Sequence, residues 1–152
     1  MSKFDLIETI SDSKNNSREV KYKILVYPNI TSPIENLERD SYVLVLKHVI
    51  RYLNSIRNDL HWTVITPSPI SYGDNVEQKV LYVPGYNNSM RSHFDIRDIK
   101  DVINHREVDY DIVYSHLPEH TSQLVNYFYN VSHSRPKIIG YSHYYEFPVG
   151  KV

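Results

Sequence analysis

Asp111-Ile112-Val113-Tyr114-Ser115-His116-Leu117-Pro118-Glu119-His120 runs from a brief apolar strand into a histidine-bearing corner. Lys137-Ile138-Ile139-Gly140-Tyr141-Ser142-His143-Tyr144-Tyr145-Glu146-Phe147-Pro148 follows the same plan. Short Val/Ile-rich runs are the mark of strands buried on both faces of a parallel sheet. In each segment the run ends where ionisable side chains begin. Ligands of open α/β sheets bind outside the carboxyl ends of the strands. Three histidines and two glutamates therefore collect where such a fold places its chemistry.

Working outward, the strands alternate with amphipathic stretches. Tyr22–Tyr27 reads as the first strand, ended by Pro28-Asn29. Asp40 or Ser41 can cap a helix running to about Asn58, with Val43, Leu46, Val49, Ile50, Leu53 and Ile56 on its apolar face. Leu60–Thr66 is the second strand, broken by Pro67 and Pro69, and Lys79–Val83 the third, closed by Pro84-Gly85. A helix is expected near Phe94–His105. Asp111–Ser115 is the fourth strand and Lys137–Tyr141 the fifth. Between them Pro118 suits the first turn of a helix that turns Leu124, Val125, Phe128 and Val131 to the core. Residues 1–20 are polar, and a flexible tail or a short helix and linker is expected there, ahead of one domain over 21–152.

The resulting order, β-α-β-β-α-β-α-β, predicts an α/β fold: a Rossmann-like, mostly parallel five-stranded sheet with helices on both faces. Right-handed crossovers give the strand order 3-2-1-4-5. Both histidine corners then share one edge of the sheet.

Composition narrows the function. With a net charge of −1 and no basic run, the chain is not expected to be a dedicated nucleic-acid binder. It has no cysteine, which removes thiolate nucleophiles and cysteine-based zinc sites and fits a cytoplasmic protein. No run of about 18 apolar residues occurs, so no membrane span is expected. Glycine stands only at 73, 85, 140 and 150, and the turn after the first strand is Pro28-Asn29-Ile30-Thr31-Ser32-Pro33. Neither a dinucleotide fingerprint nor a P-loop can be built from it, because backbone must approach the phosphates closely there.

The histidines admit several uses. His143 can transfer protons near neutral pH, and Glu146 can orient it or bind sugar hydroxyls. Against that, Ser142 and Glu146 also read as the cap and first turn of a helix. His116, His120 and His143 could ligate zinc in a metal-dependent hydrolase, but their spacing is not H-E-x-x-H, so no metal is expected.

Lys23–Tyr27, the helix capped at Asp40, Asp109-Tyr110-Asp111-Ile112-Val113-Tyr114 and Ile138-Ile139-Gly140-Tyr141-Ser142-His143 together resemble the N-terminal domain of GT-B glycosyltransferases, nearest the family 4-like and phage-type enzymes. The resemblance covers about residues 21–148 and rests on element order and strand-end composition. It implies two Rossmann-like domains facing across a cleft, the first receiving a sugar acceptor and the second holding a nucleotide-sugar donor. It implies that His143, after the fifth strand, faces the reaction centre, and Glu146, read above as its orienting partner, completes the expected catalytic pair. It also implies that the loop after the first strand, with Asn29, and His116 and Glu119 at the fourth strand's exit line the cleft; substrate contacts are expected from these and from the neighbouring His120 and Tyr144. No cofactor is expected in this chain, and the nucleotide-sugar is its co-substrate. The E-x-x-x-x-x-x-E signature of the donor half is absent up to Val152, so that half is expected as a missing C-terminal domain or a separate subunit. The alternative is a stand-alone, non-catalytic α/β module that binds a ligand or protein.

Overall fold

A computed structural model describes residues 6–12, 19–28, 30–83, 85–86, 109–116, 118–130 and 135–141. Six strands are present: β1 (Leu6–Asp12), β2 (Tyr22–Tyr27), β3 (Leu60–Thr66), β4 (Val76–Tyr82), β5 (Ile112–Ser115) and β6 (Lys137–Gly140). A 3₁₀ turn (Ile34–Arg39) leads into α1 (Ser41–Ile56), and α2 (Pro118–Asn130) joins β5 to β6. The order across the sheet is β1-β4-β3-β2-β5-β6, with β1 antiparallel to β4 and every other pair parallel. The chain is thus α/β with a six-stranded, mostly parallel mixed sheet.

Two expectations are corrected. The sheet has six strands, not five, and the whole order differs because β1 is added at the edge. Without β1, the remaining strands stand in the 3-2-1-4-5 relation. Residues 6–12, expected as part of a tail, are that sixth strand. The reason is non-local. Lys79 Nζ donates to Thr9 Oγ1 at 2.9 Å, and the Tyr82 hydroxyl donates to the Glu8 carboxylate at 2.9 Å. Both partners lie some seventy residues downstream, beyond the reach of local pattern.

β4 also begins three residues earlier than expected, because Gln78 is buried despite its polarity. Its amide closes a two-bond clasp on the backbone of Ile70, donating to the carbonyl at 2.6 Å and accepting from the N–H at 3.0 Å. That clasp holds the nine-residue connection 67–75, a helix-free crossover between parallel strands. Satisfying both groups matters, since a buried unpaired backbone group costs roughly 1–3 kcal/mol.

α1 starts at Asp40, its N-cap, and buries Tyr42, Val43, Leu46 and Ile50. Ile56 was expected on this face but is 60% exposed. It lies six residues beyond Ile50, about 120° round the helix. Side chains alternate across strands, so register assigns the faces. Trp62 Nε1 donates to Asn54 Oδ1 at 3.0 Å, which puts α1 on the face that carries Trp62 and Val64. A Cβ added to Gly140 would stand 2.8 Å from Thr121 Oγ1, which puts α2 on the opposite face, over Val113 and Gly140. Leu124 and Phe128 of α2 are buried there, while Val125 is only half-buried. The helix expected near Phe94–His105 and Val131 lie outside the described residues.

Candidate functional site

β2 and β5 lie side by side at the centre of the sheet, and their crossovers leave in opposite directions, α1 toward β3 and α2 toward β6. That divergence is the switch point at which open α/β sheets leave a crevice. The backbone closes it at the carboxyl edge: His116 N–H donates to the Tyr27 carbonyl at 3.2 Å, and Tyr141 N–H to the Ser115 carbonyl at 2.7 Å.

His116 is only 1% exposed and sits among aromatic rings. Tyr114 meets it edge-on with ring centroids 4.8 Å apart, Tyr42 lies at 5.7 Å and Tyr141 at 5.8 Å. Tyr114 stands two residues before His116, so both project to the α1 side, where Tyr42 supplies the first helical turn. Tyr141 leaves the end of β6 and keeps 43% of its surface in solvent, so the ring cluster opens outward. Burial, and then the neighbouring Tyr141, push the Tyr114 phenol up to about 12. Burial, and then the Asp40 charge, push Tyr86 up to about 12. These phenols therefore stay protonated at neutral pH and serve as neutral hydrogen-bonding rings.

Asp40 organises the other side of the crevice. It is 2% exposed. One carboxylate oxygen accepts from the N–H groups of Tyr42 at 2.9 Å and Val43 at 3.3 Å, capping α1. The other accepts from Thr31 N–H at 3.0 Å and the Ser32 hydroxyl at 2.7 Å, drawing in the loop after β2. This is where a dinucleotide fold receives a pyrophosphate. Here the protein's own carboxylate fills the helix N-terminus, so an anion would meet a negative charge.

Of the residues expected to act, His116 stands in this crevice. Glu119 and His120 fall in the first turn of α2, next to it in the chain, and their side chains lie outside the described set. Asn29, His143, Tyr144 and Glu146 lie outside the described residues. In the sequence Asp40 reads only as a helix cap, and the tyrosines around His116 carry no pattern of their own. The available signal was the number of tyrosines, fourteen in 152 residues. Among the described residues no group of three His, Asp or Glu side chains could hold a metal ion, and no helix is long and apolar enough to cross a membrane.

No protein-family model matches the chain, and neither does any curated protein or solved structure.

Proposed function

We propose that this chain is the acceptor-side, Rossmann-like half of a glycosyltransferase, binding a sugar acceptor in the switch-point crevice. The observation that carries the reading is the pairing of two features at one sheet edge. The N-terminus of α1 is filled by the Asp40 carboxylate, and the adjacent wall consists of Tyr42, Tyr114 and Tyr141 around His116. The first feature disfavours a phosphate. The second favours a neutral ring, which can lie on aromatic faces while phenols and imidazole meet its polar groups. Donor binding belongs, in this reading, to a second domain or subunit, and His143 and Glu146 carry the reaction.

Titration of the full chain with neutral oligosaccharides, followed by amide NMR, tests acceptor binding. Saturable shifts at Thr31, Ser115, His116 and Tyr141 are the expected result. Absence of those shifts, or stronger shifts there with a nucleotide-sugar, overturns it. With the donor half supplied, His143→Ala is expected to lower turnover about tenfold or more without loss of folding. Near-normal turnover removes His143 from the chemistry. Saturable oligosaccharide binding with no transfer once the donor half is present selects the non-catalytic binding module instead.

A further inference from the structure

The opposite stretch of α1 is open and positively charged. Its sixteen residues include Lys47 and Arg51 and no aspartate or glutamate. The two cations are four residues apart, so they stand one above the other on one side of the helix. Neither has an ion-pair or hydrogen-bond partner among the described residues, whereas Arg57 is paired to Asp59 at 2.7 Å and Lys79 to Glu77 at 3.1 Å. Between them and the end of the 67–75 crossover lies a hollow of about 430 Å³, lined also by Asn54, Ser55, Gly73 and Asp74. A second hollow of about 290 Å³, lined by His48 and Tyr52, continues from it and shares Arg51 and Ser55.

The walls are fixed rather than loose. Asn54 accepts from Trp62 Nε1 at 3.0 Å and donates to the Asp74 carbonyl at 2.8 Å, tying the helix to the crossover. Gly73 has φ +141°, and a Cβ there would stand 3.1 Å from Ile50 Cγ2. Only glycine fits that backbone, and its lack of a side chain lets the crossover pack close against Ile50 of α1.

We propose that this hollow binds a phosphorylated, hydroxyl-bearing small molecule, of the sugar-phosphate class. Lys47 and Arg51 hold the phosphate, since guanidinium and ammonium donors form charge-assisted bonds with its oxygens. Asp74 lies in the same wall and repels a bare anion, but a carboxylate has several acceptor positions and takes a hydrogen bond from a ligand hydroxyl. The site is independent of the crevice at the carboxyl edge and of the function read from it.

The test is titration of the full chain with glucose 6-phosphate, inorganic phosphate and glucose, followed by amide NMR. Glucose 6-phosphate is expected to shift the amides of Ser71, Tyr72, Gly73 and Asp74 saturably, with a Kd of about 1 mM or tighter. Glucose alone is expected to leave them unmoved. Lys47→Gln with Arg51→Gln should weaken binding about tenfold or more, with the rest of the spectrum unchanged because neither side chain is paired among the described residues. Asp74→Asn should narrow the preference for glucose 6-phosphate over inorganic phosphate. No saturable shift in the 71–74 amides, or equal binding by the double variant, overturns the site. Equal affinity of the native chain for inorganic phosphate overturns the ligand class.

Discussion

The sheet has two unequal flanks about β2. On one side, β3, β4 and α1 are fastened by polar hooks that tie each element to a segment close to it in the chain: Asp40 to Thr31 and Ser32, Trp62 to Asn54, Gln78 to Ile70, and Tyr72 to Thr66. All but one of the side chains of β3 are buried. On the other side, β5 and β6 have four residues each, and β6 is mostly exposed, with Ile139 43% accessible. α2 meets that flank by close approach at Gly140. The first flank holds its position by paired polar groups and a deep core, and the second by the buried Leu124 and Phe128 and the close approach at Gly140. The crevice lies along the seam between them, with Asp40 and Tyr42 on the firm side and His116 and Tyr141 on the lighter one.

Removing a hook should hurt most. Asp40→Ala strips the cap from α1 and leaves Thr31 N–H and the Ser32 hydroxyl without their acceptor. A loss of about 2–3 kcal/mol is expected, measured by urea denaturation. A loss below about 0.5 kcal/mol would mean that the flank stands on its apolar core alone and would erase the contrast. On the lighter flank, Gly140→Ala drives a Cβ into Thr121, with an expected cost of about 1–2 kcal/mol. Thr121→Ala in the same chain should recover most of it, because the clash is with that side chain. Additive losses would show that steric fit does not hold α2.

The smallest effect is expected on the β3–β4 pair, where His61 at 3.6 Å and Lys79 at 3.1 Å surround Glu77. They hold its carboxyl down to about 2 from an ordinary 4.5, against the opposing effect of partial burial. A carboxyl depressed on folding stabilises fully above its unfolded value, and that contribution is lost as pH falls from about 4.5 toward 2. The native chain should therefore lose stability across that window, and Glu77→Gln should lose less. The difference should stay under about 1 kcal/mol, because the group is partly solvated. Parallel pH profiles would show that this cluster adds nothing to the firm flank.

Much of the fold was legible because it is written in short runs. Ile24-Leu25-Val26, Val64-Ile65 and Ile112-Val113 announce strands, and Asp40 announces the start of α1 two residues before its first buried side chain, Tyr42. His116 at a strand's exit was legible for the same reason, since a polar residue that ends an apolar run marks the carboxyl edge. β1 was not, because Glu8 and Thr9 look like tail residues until the Tyr82 hydroxyl and Lys79 Nζ bond to them. Gln78 looks like loop until Ile70 folds over it.

By itself, then, the sequence determined the alternation of strands and helices, the poverty of glycine that denies a phosphate loop after β2, and the edge at which His116 lies. These follow from periodicity and residue type, which act locally. Tertiary structure alone decided the sixth strand, the gathering of Tyr42, Tyr114 and Tyr141 around one histidine, and the open cationic hollow beside the 67–75 crossover. Each depends on residues far apart in the chain reaching contact distance, and no local pattern encodes which distant partner a side chain will meet.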